Sequence, residues 1–72
     1  MKKNNLKLFV LTIKDYMAVE VHLFNRWSAV VNRVAEKAHA DLNTVKESLD
    51  ADNQWVDELA NVSYKVTIQE VE

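Results

Sequence analysis

His22 stands two residues after Glu20, and His39 two residues before Asp41. A histidine beside a carboxylate can form a general base or half of a metal site, because the carboxylate fixes the imidazole tautomer and raises its basicity. Neither pair is completed. No HExxH or HxH spacing supplies a further ligand, and the absence of cysteine excludes thiolate zinc sites and disulfides together. Ser28, Ser48 and Ser63 lack the flanking glycines that a nucleophile elbow needs. The chain has no glycine at all, so a Walker loop or a dinucleotide-binding loop, whose backbone must approach phosphate closely, is excluded. These residues lead to no catalytic group, no metal ligand set and no cofactor, and the expectation is a protein that acts by binding.

The groups available for binding are charged and apolar. Residues 1–40 carry a net +4 and residues 41–72 a net −6, inside an overall −2. Asp41, Glu47, Asp50, Asp52, Asp57 and Glu58 dominate the second half. Carboxylates spaced along a small rigid scaffold can imitate a phosphate line and occupy a basic nucleic-acid site, or they can form an ordinary solvated helix face. Lys3, Lys7, Lys14, Arg26 and Arg33 could instead contact phosphates, in which case binding would weaken steeply with salt. They are scattered over strands and helix, and the glycine-bearing RNA-recognition pattern is missing. Trp27 and Trp55 fall in phase with neighbouring apolar residues, which assigns both to the core.

With 72 residues there is room for one domain, residues 1–72, with one core. A hydrophobic share of 49% suffices to fold it. No apolar run approaches the roughly 20 residues of a membrane span. Lys7 and Lys14 bracket a short β-branched stretch with no small-residue cleavage site after it, so the opening does not read as a signal peptide. Together with the absent cysteines, this makes a cytoplasmic protein the expectation.

The elements that would position these groups follow from periodicity. Leu6 to Ile13 reads as a strand with Leu6, Leu8 and Val10 on one face and Phe9, Leu11 and Ile13 on the other. Apolar residues on both faces suggest a central strand, or one whose second face meets a partner. After a turn at Lys14-Asp15, residues 16–24 alternate, with Met17, Val19, Val21 and Leu23 expected inward and Ala18, Glu20 and His22 outward. Trp27, Val30, Val31, Val34, Ala35 and Ala38 then form a helical stripe that runs on in phase through Leu42, Val45 and Leu49. The unbroken phase predicts one long helix over residues 25–49, straight or kinked, capped by Asn25. The alternative is a break near Asp41, which the capping-box spacing of Thr44 and Glu47 supports. A short helix capped by Asp52 follows, carrying Trp55, Val56 and Leu59 inward and ending at Asn61 as a left-handed cap. Val62, Tyr64, Val66 and Ile68 alternate with polar residues in a last strand.

The expected fold is α+β: a three-stranded sheet with one long helix and one short helix on one face, in the order β-β-α-(α)-β. If the first strand is central, the last lies beside it. The far face then carries Phe9, Leu11 and Ile13, or the alternate set, without an intramolecular cover.

The segments Ala18-Val19-Glu20-Val21-His22-Leu23-Phe24, Val30-Val31-Asn32-Arg33-Val34-Ala35 and Tyr64-Lys65-Val66-Thr67-Ile68 give an architecture that resembles small bacteriophage-encoded accessory proteins. These include inhibitors of host RNA polymerase and of bacterial defence systems. The resemblance implies an inhibitor or modulator of a host machine (a defence complex, polymerase or nuclease) that works by steric occlusion in the host cytoplasm. It transfers no functional residue. The partner-binding candidates remain those read from the residues: Phe9, Leu11 and Ile13 on the sheet, and Asp50, Asp52, Asp57 and Glu58 in the acidic half. Two further expectations stand beside this: a small nucleic-acid-binding domain using the basic half, and a structural homodimer joined through the apolar strand face.

Overall fold

The computed structural model describes residues 6–71. Lys3, one of the basic residues considered above, lies outside them. The element order is β1 (Leu6–Lys14), β2 (Val19–Phe24), α1 (Trp27–Ala38), α2 (Leu42–Asp52), β3 (Gln54–Asp57) and β4 (Val62–Val71). All strand pairs are antiparallel, and the spatial order is β2-β1-β4-β3. The α+β class agrees with expectation, and of the alternatives left open for the first strand the structure has the central one, with the last strand beside it. The sheet has four strands instead of three, and the helical region is divided.

The helix divides at Ala38. His39 takes the left-handed conformation at φ 54°, its N–H bonds to the Glu36 carbonyl, and the Ala40 N–H bonds to the Ala35 carbonyl. This is a Schellman termination made without glycine. Asp41 then caps α2, its Oδ2 accepting from the Thr44 N–H at 3.0 Å and the Thr44 hydroxyl at 3.2 Å. Periodicity could not reveal the break, because the helix restarts with Leu42, Val45 and Leu49 still in the phase of α1. The break permits α1 and α2 to pack side by side, so both stripes reach the same sheet. Asn25 does not cap α1: Arg26 occupies that position in extended conformation, with no side-chain cap bond.

The expected short helix after Asp52 is a strand. Asn53 ends α2 in the left-handed conformation at φ 58°, and the chain turns straight into β3. Trp55 pairs with Tyr64 across β3 and β4, their rings 5.7 Å apart. A cross-strand aromatic pair of this kind stabilises a strand by roughly 0.2–1 kcal/mol. Leu59, expected in the core, is fully exposed in the loop that follows. Asn61 is left-handed as expected, but it closes the β3–β4 hairpin and not a helix.

The core lies between the helices and one face of the sheet. Leu11 and Ile13 from β1, Tyr64 and Val66 from β4, Val30, Val31, Val34 and Ala35 from α1, and Val45 and Leu49 from α2 are all buried. Phe9, Phe24, Trp27 and Trp55 pack around them, with Phe9 and Trp27 edge to face at 5.4 Å. No helix among the described residues is long and apolar enough to cross a membrane.

Candidate interaction surface

The turn between β1 and β2 decides which side chains face solvent. Asp15 Oδ1 accepts from the N–H groups of Met17 and Ala18 at 2.8 and 2.7 Å, and the Asp15 N–H donates to the Ala18 carbonyl at 3.0 Å. The two backbone donors hold the Asp15 carboxyl below its ordinary range. This closed turn sets Lys14 opposite Val19, Ile13 opposite Glu20 and Leu11 opposite His22. Residues directly opposite in an antiparallel pair share a face. Since Phe9, Leu11 and Ile13 face the helices, Glu20, His22 and Phe24 must as well. Val19, Val21 and Leu23 consequently point to the uncovered side, the reverse of the expected orientation.

The resulting surface has two halves. Over β2 lie Val19, Val21 and Leu23, 58, 59 and 64% exposed, flanked by half-buried Leu8 and Val10. Tyr16 and Met17 extend the apolar strip at the turn, 84 and 77% exposed. Over β4 the same face is polar: Thr67 lies opposite Val10, Lys65 opposite Thr12 and Ser63 opposite Lys14. Isolated exposed apolar residues are ordinary, whereas an adjoining row of this kind is a candidate interaction surface.

The expected sheet residues are therefore the wrong set for a surface. Leu11 is fully buried, Ile13 nearly so, and Phe9 packs on Trp27. The alternate set forms the open face. A signal was present in the sequence: from residue 9 on, the odd positions of β1 hold Phe9, Leu11 and Ile13, whereas the even ones include Thr12 and Lys14, with Lys7 on the odd face only at the start of the strand. That imbalance favours the odd face of β1 as the inward one, and the turn then fixes β2.

The acidic candidates are divided by β3. Asp50 serves the fold: its Oδ1 accepts from the Trp27 indole N–H and its Oδ2 from Lys46, each at 2.6 Å. The Lys46 bond first, and the indole second, hold its carboxyl below the ordinary range. Asp57 is half-buried and accepts from the Ala60 N–H at 3.2 Å, closing its hairpin. Asp52 and Glu58 are exposed, with the whole of β3, about 13 Å of extended chain, between them. The basic candidates are not gathered either. Lys7 and Lys14 lie on opposite faces of β1 by parity, and Arg26 and Arg33 flank and ride α1.

His22 Nε2 lies 3.1 Å from Glu20 Oε1, and Lys37 Nζ of α1 lies 3.4 Å from Glu20 Oε2. The His22 bond, then the Lys37 charge, keep the Glu20 carboxyl below its ordinary range. One carboxylate oxygen thus holds His22, and the other ties the β2 edge to α1. Beside them a depression of about 310 Å³ is lined by Glu20, Lys37, His39, Asp57 and Tyr64. Burial, and after it the charges of Asp57 and Glu20, push the Tyr64 phenol up. Among the described residues no group of three metal-type ligands is assembled. Comparison of the chain with protein-family models, with curated proteins and with solved structures finds no match.

Proposed function

We infer that this chain is a non-enzymatic protein-interaction module whose working surface is the open face of the sheet. The observation that carries the reading is the exposed row Val19, Val21 and Leu23 beside Val10, which no described segment of the chain covers. Burying such a row on a partner gains roughly 25 cal/mol for each Å² of apolar surface removed from water. The polar half over β4 would form a rim with satisfiable hydrogen bonds. The architecture suits the role of a phage-type inhibitor or modulator that occludes a host machine such as a defence complex, polymerase or nuclease. In that role the acidic contribution falls to Asp52 and Glu58, because Asp50 and Asp57 are engaged within the fold.

The test is capture from bacterial lysate, with and without nuclease and across a salt series, by the immobilised protein, alongside Leu23→Lys and Val10→Lys variants shown to be folded. A discrete protein retained by the parent chain and lost with both variants supports the reading. Capture indifferent to both variants, or recovery of nucleic acid that disappears as salt rises, overturns it.

A further inference from the structure

We propose that the outer edge of β2 pairs with the β2 edge of a second copy, antiparallel and centred on Val21, joining two four-stranded sheets into one of eight strands. The hydrogen-bond parity of the hairpin exposes this edge. The Asp15 N–H donates to the carbonyl of Ala18 directly opposite, the placement of a hydrogen-bonded position, and hydrogen-bonded and non-hydrogen-bonded pairs alternate along an antiparallel ladder. The pairs Ile13–Glu20, Leu11–His22 and Phe9–Phe24 are then the bonded ones. Val19, Val21 and Leu23 direct their N–H and C=O groups away from β1, to an edge that no other strand among the described residues covers.

An open row of backbone groups invites another strand unless the edge is blunted. The far edge, β3, is blunted: it has four residues and ends in Asp57. β2 has six residues, no proline and no lysine, and its one carboxylate, Glu20, is already engaged by His22 and Lys37. Glu20 and His22 retain 47 and 30% exposure of their side chains, so α1 does not roof the edge.

Charge selects the occupant and the register. Only odd residues present free backbone groups, so a second β2 can pair about Glu20, Val21 or His22. Pairing about Glu20 sets two carboxylates face to face, and pairing about His22 sets two imidazoles face to face. Pairing about Val21 bonds Val21 to Val21 and Val19 to Leu23, using every free group of the three residues. It also puts Glu20 opposite His22 of the second copy, twice, at the closely spaced non-hydrogen-bonded positions. Val-Glu-Val-His-Leu is a self-complementary strand in this register and in neither neighbour. The two open-face apolar rows meet at the two-fold axis and become one continuous strip, a geometry independent of what that strip later docks.

Sedimentation equilibrium over a dilution series tests the proposal on four proteins: the parent chain, Val21→Pro, Glu20→Lys and His22→Glu. Proline at position 21 removes a donor that points outward, leaving the bonds to β1 in place. The parent should show a monomer–dimer equilibrium, and Val21→Pro should weaken it by about ten-fold or more, the equivalent of one or two lost hydrogen bonds. Glu20→Lys and His22→Glu should each be monomeric with native circular dichroism. Their equimolar mixture should restore a one-to-one dimer. In it the introduced lysine of one chain meets the introduced glutamate of the other, and the remaining native His22 meets the remaining native Glu20. A parent chain that stays monomeric at every concentration overturns the proposal, and leaves the open-face reading untouched. A dimer that survives Val21→Pro overturns it too, as does a mixture that fails to associate.

Discussion

β2 and β4 are the two strands with clean alternation, and they are used in opposite ways. In β4 the apolar side, Tyr64 and Val66, is buried against the helices. In β2 the apolar side, Val21 and its neighbours, is on the uncovered face, and the polar side, Glu20 and His22, looks toward α1. Alternation shows that a strand has two chemically different faces. Which one goes inward depends on the strand's partner and on the turn between them. A shift of one residue would reverse every side chain of β2, so Asp15 governs the surface chemistry of the strand that follows it.

The largest expected effect breaks the comparison directly. Val66→Asp places an unpaired charge in the core and should cost more than about 3 kcal/mol, unfolding a domain of this size. Val21→Asp should cost the monomer no more than about 1 kcal/mol, the span of strand propensity at an exposed site. Urea unfolding of the two variants gives both values. Next comes the turn: Asp15→Ala removes the acceptor for Met17 and Ala18, so β2 loses its register lock. Amide exchange should rise along β2 and the facing half of β1, while the β4–β3 pair stays protected.

Smaller effects come from titration. Asp15, Glu20 and Asp50 have carboxyls below the ordinary range. A depressed folded-state value stabilises above the unfolded value, near 4, and that contribution is lost as pH falls through the folded value. The acid limb of a thermal-melt profile should flatten in Glu20→Gln, and flatten less in high salt because the pairs are exposed. The mirror case is Tyr64, raised by burial. Its contribution is complete below about 10 and is lost as pH rises through the raised value. Tyr64→Phe should therefore reduce the alkaline loss of stability, which the same melts would register.

Much of the fold was legible. The strand character of residues 6–13 and 62–68 and the helical stripe follow from periodicity that burial enforces, whereas strand order is not settled by pattern, and the central first strand is one of two alternatives that its apolar faces leave open. The helix break at His39 was legible only as the alternative that the Thr44–Glu47 spacing raises near Asp41: α2 resumes in phase, which favours continuity, and its cap rests on Asp41 and Thr44 instead of on Thr44 itself. β3 was hidden by its shortness: Gln54–Asp57 is too brief to show a period, and Trp55 is held by a ring across the sheet. The uncovered face of the sheet differs from the expected one by one step of parity. Two apolar faces on β1 leave open whether Phe9, Leu11 and Ile13 or the alternate set is uncovered, and the helices cover the first of these.

Every role proposed for the surface depends on the outward orientation of β2. The chain has no cysteine, so single Val21→Cys and Val66→Cys variants report accessibility without background. Under native conditions Val21→Cys should react with a thiol reagent nearly as fast as in denaturant, while Val66→Cys reacts slower by orders of magnitude. A Val21→Cys thiol as protected as that of Val66→Cys, in a monomer at high dilution, would contradict that orientation and put the apolar side of β2 in the core.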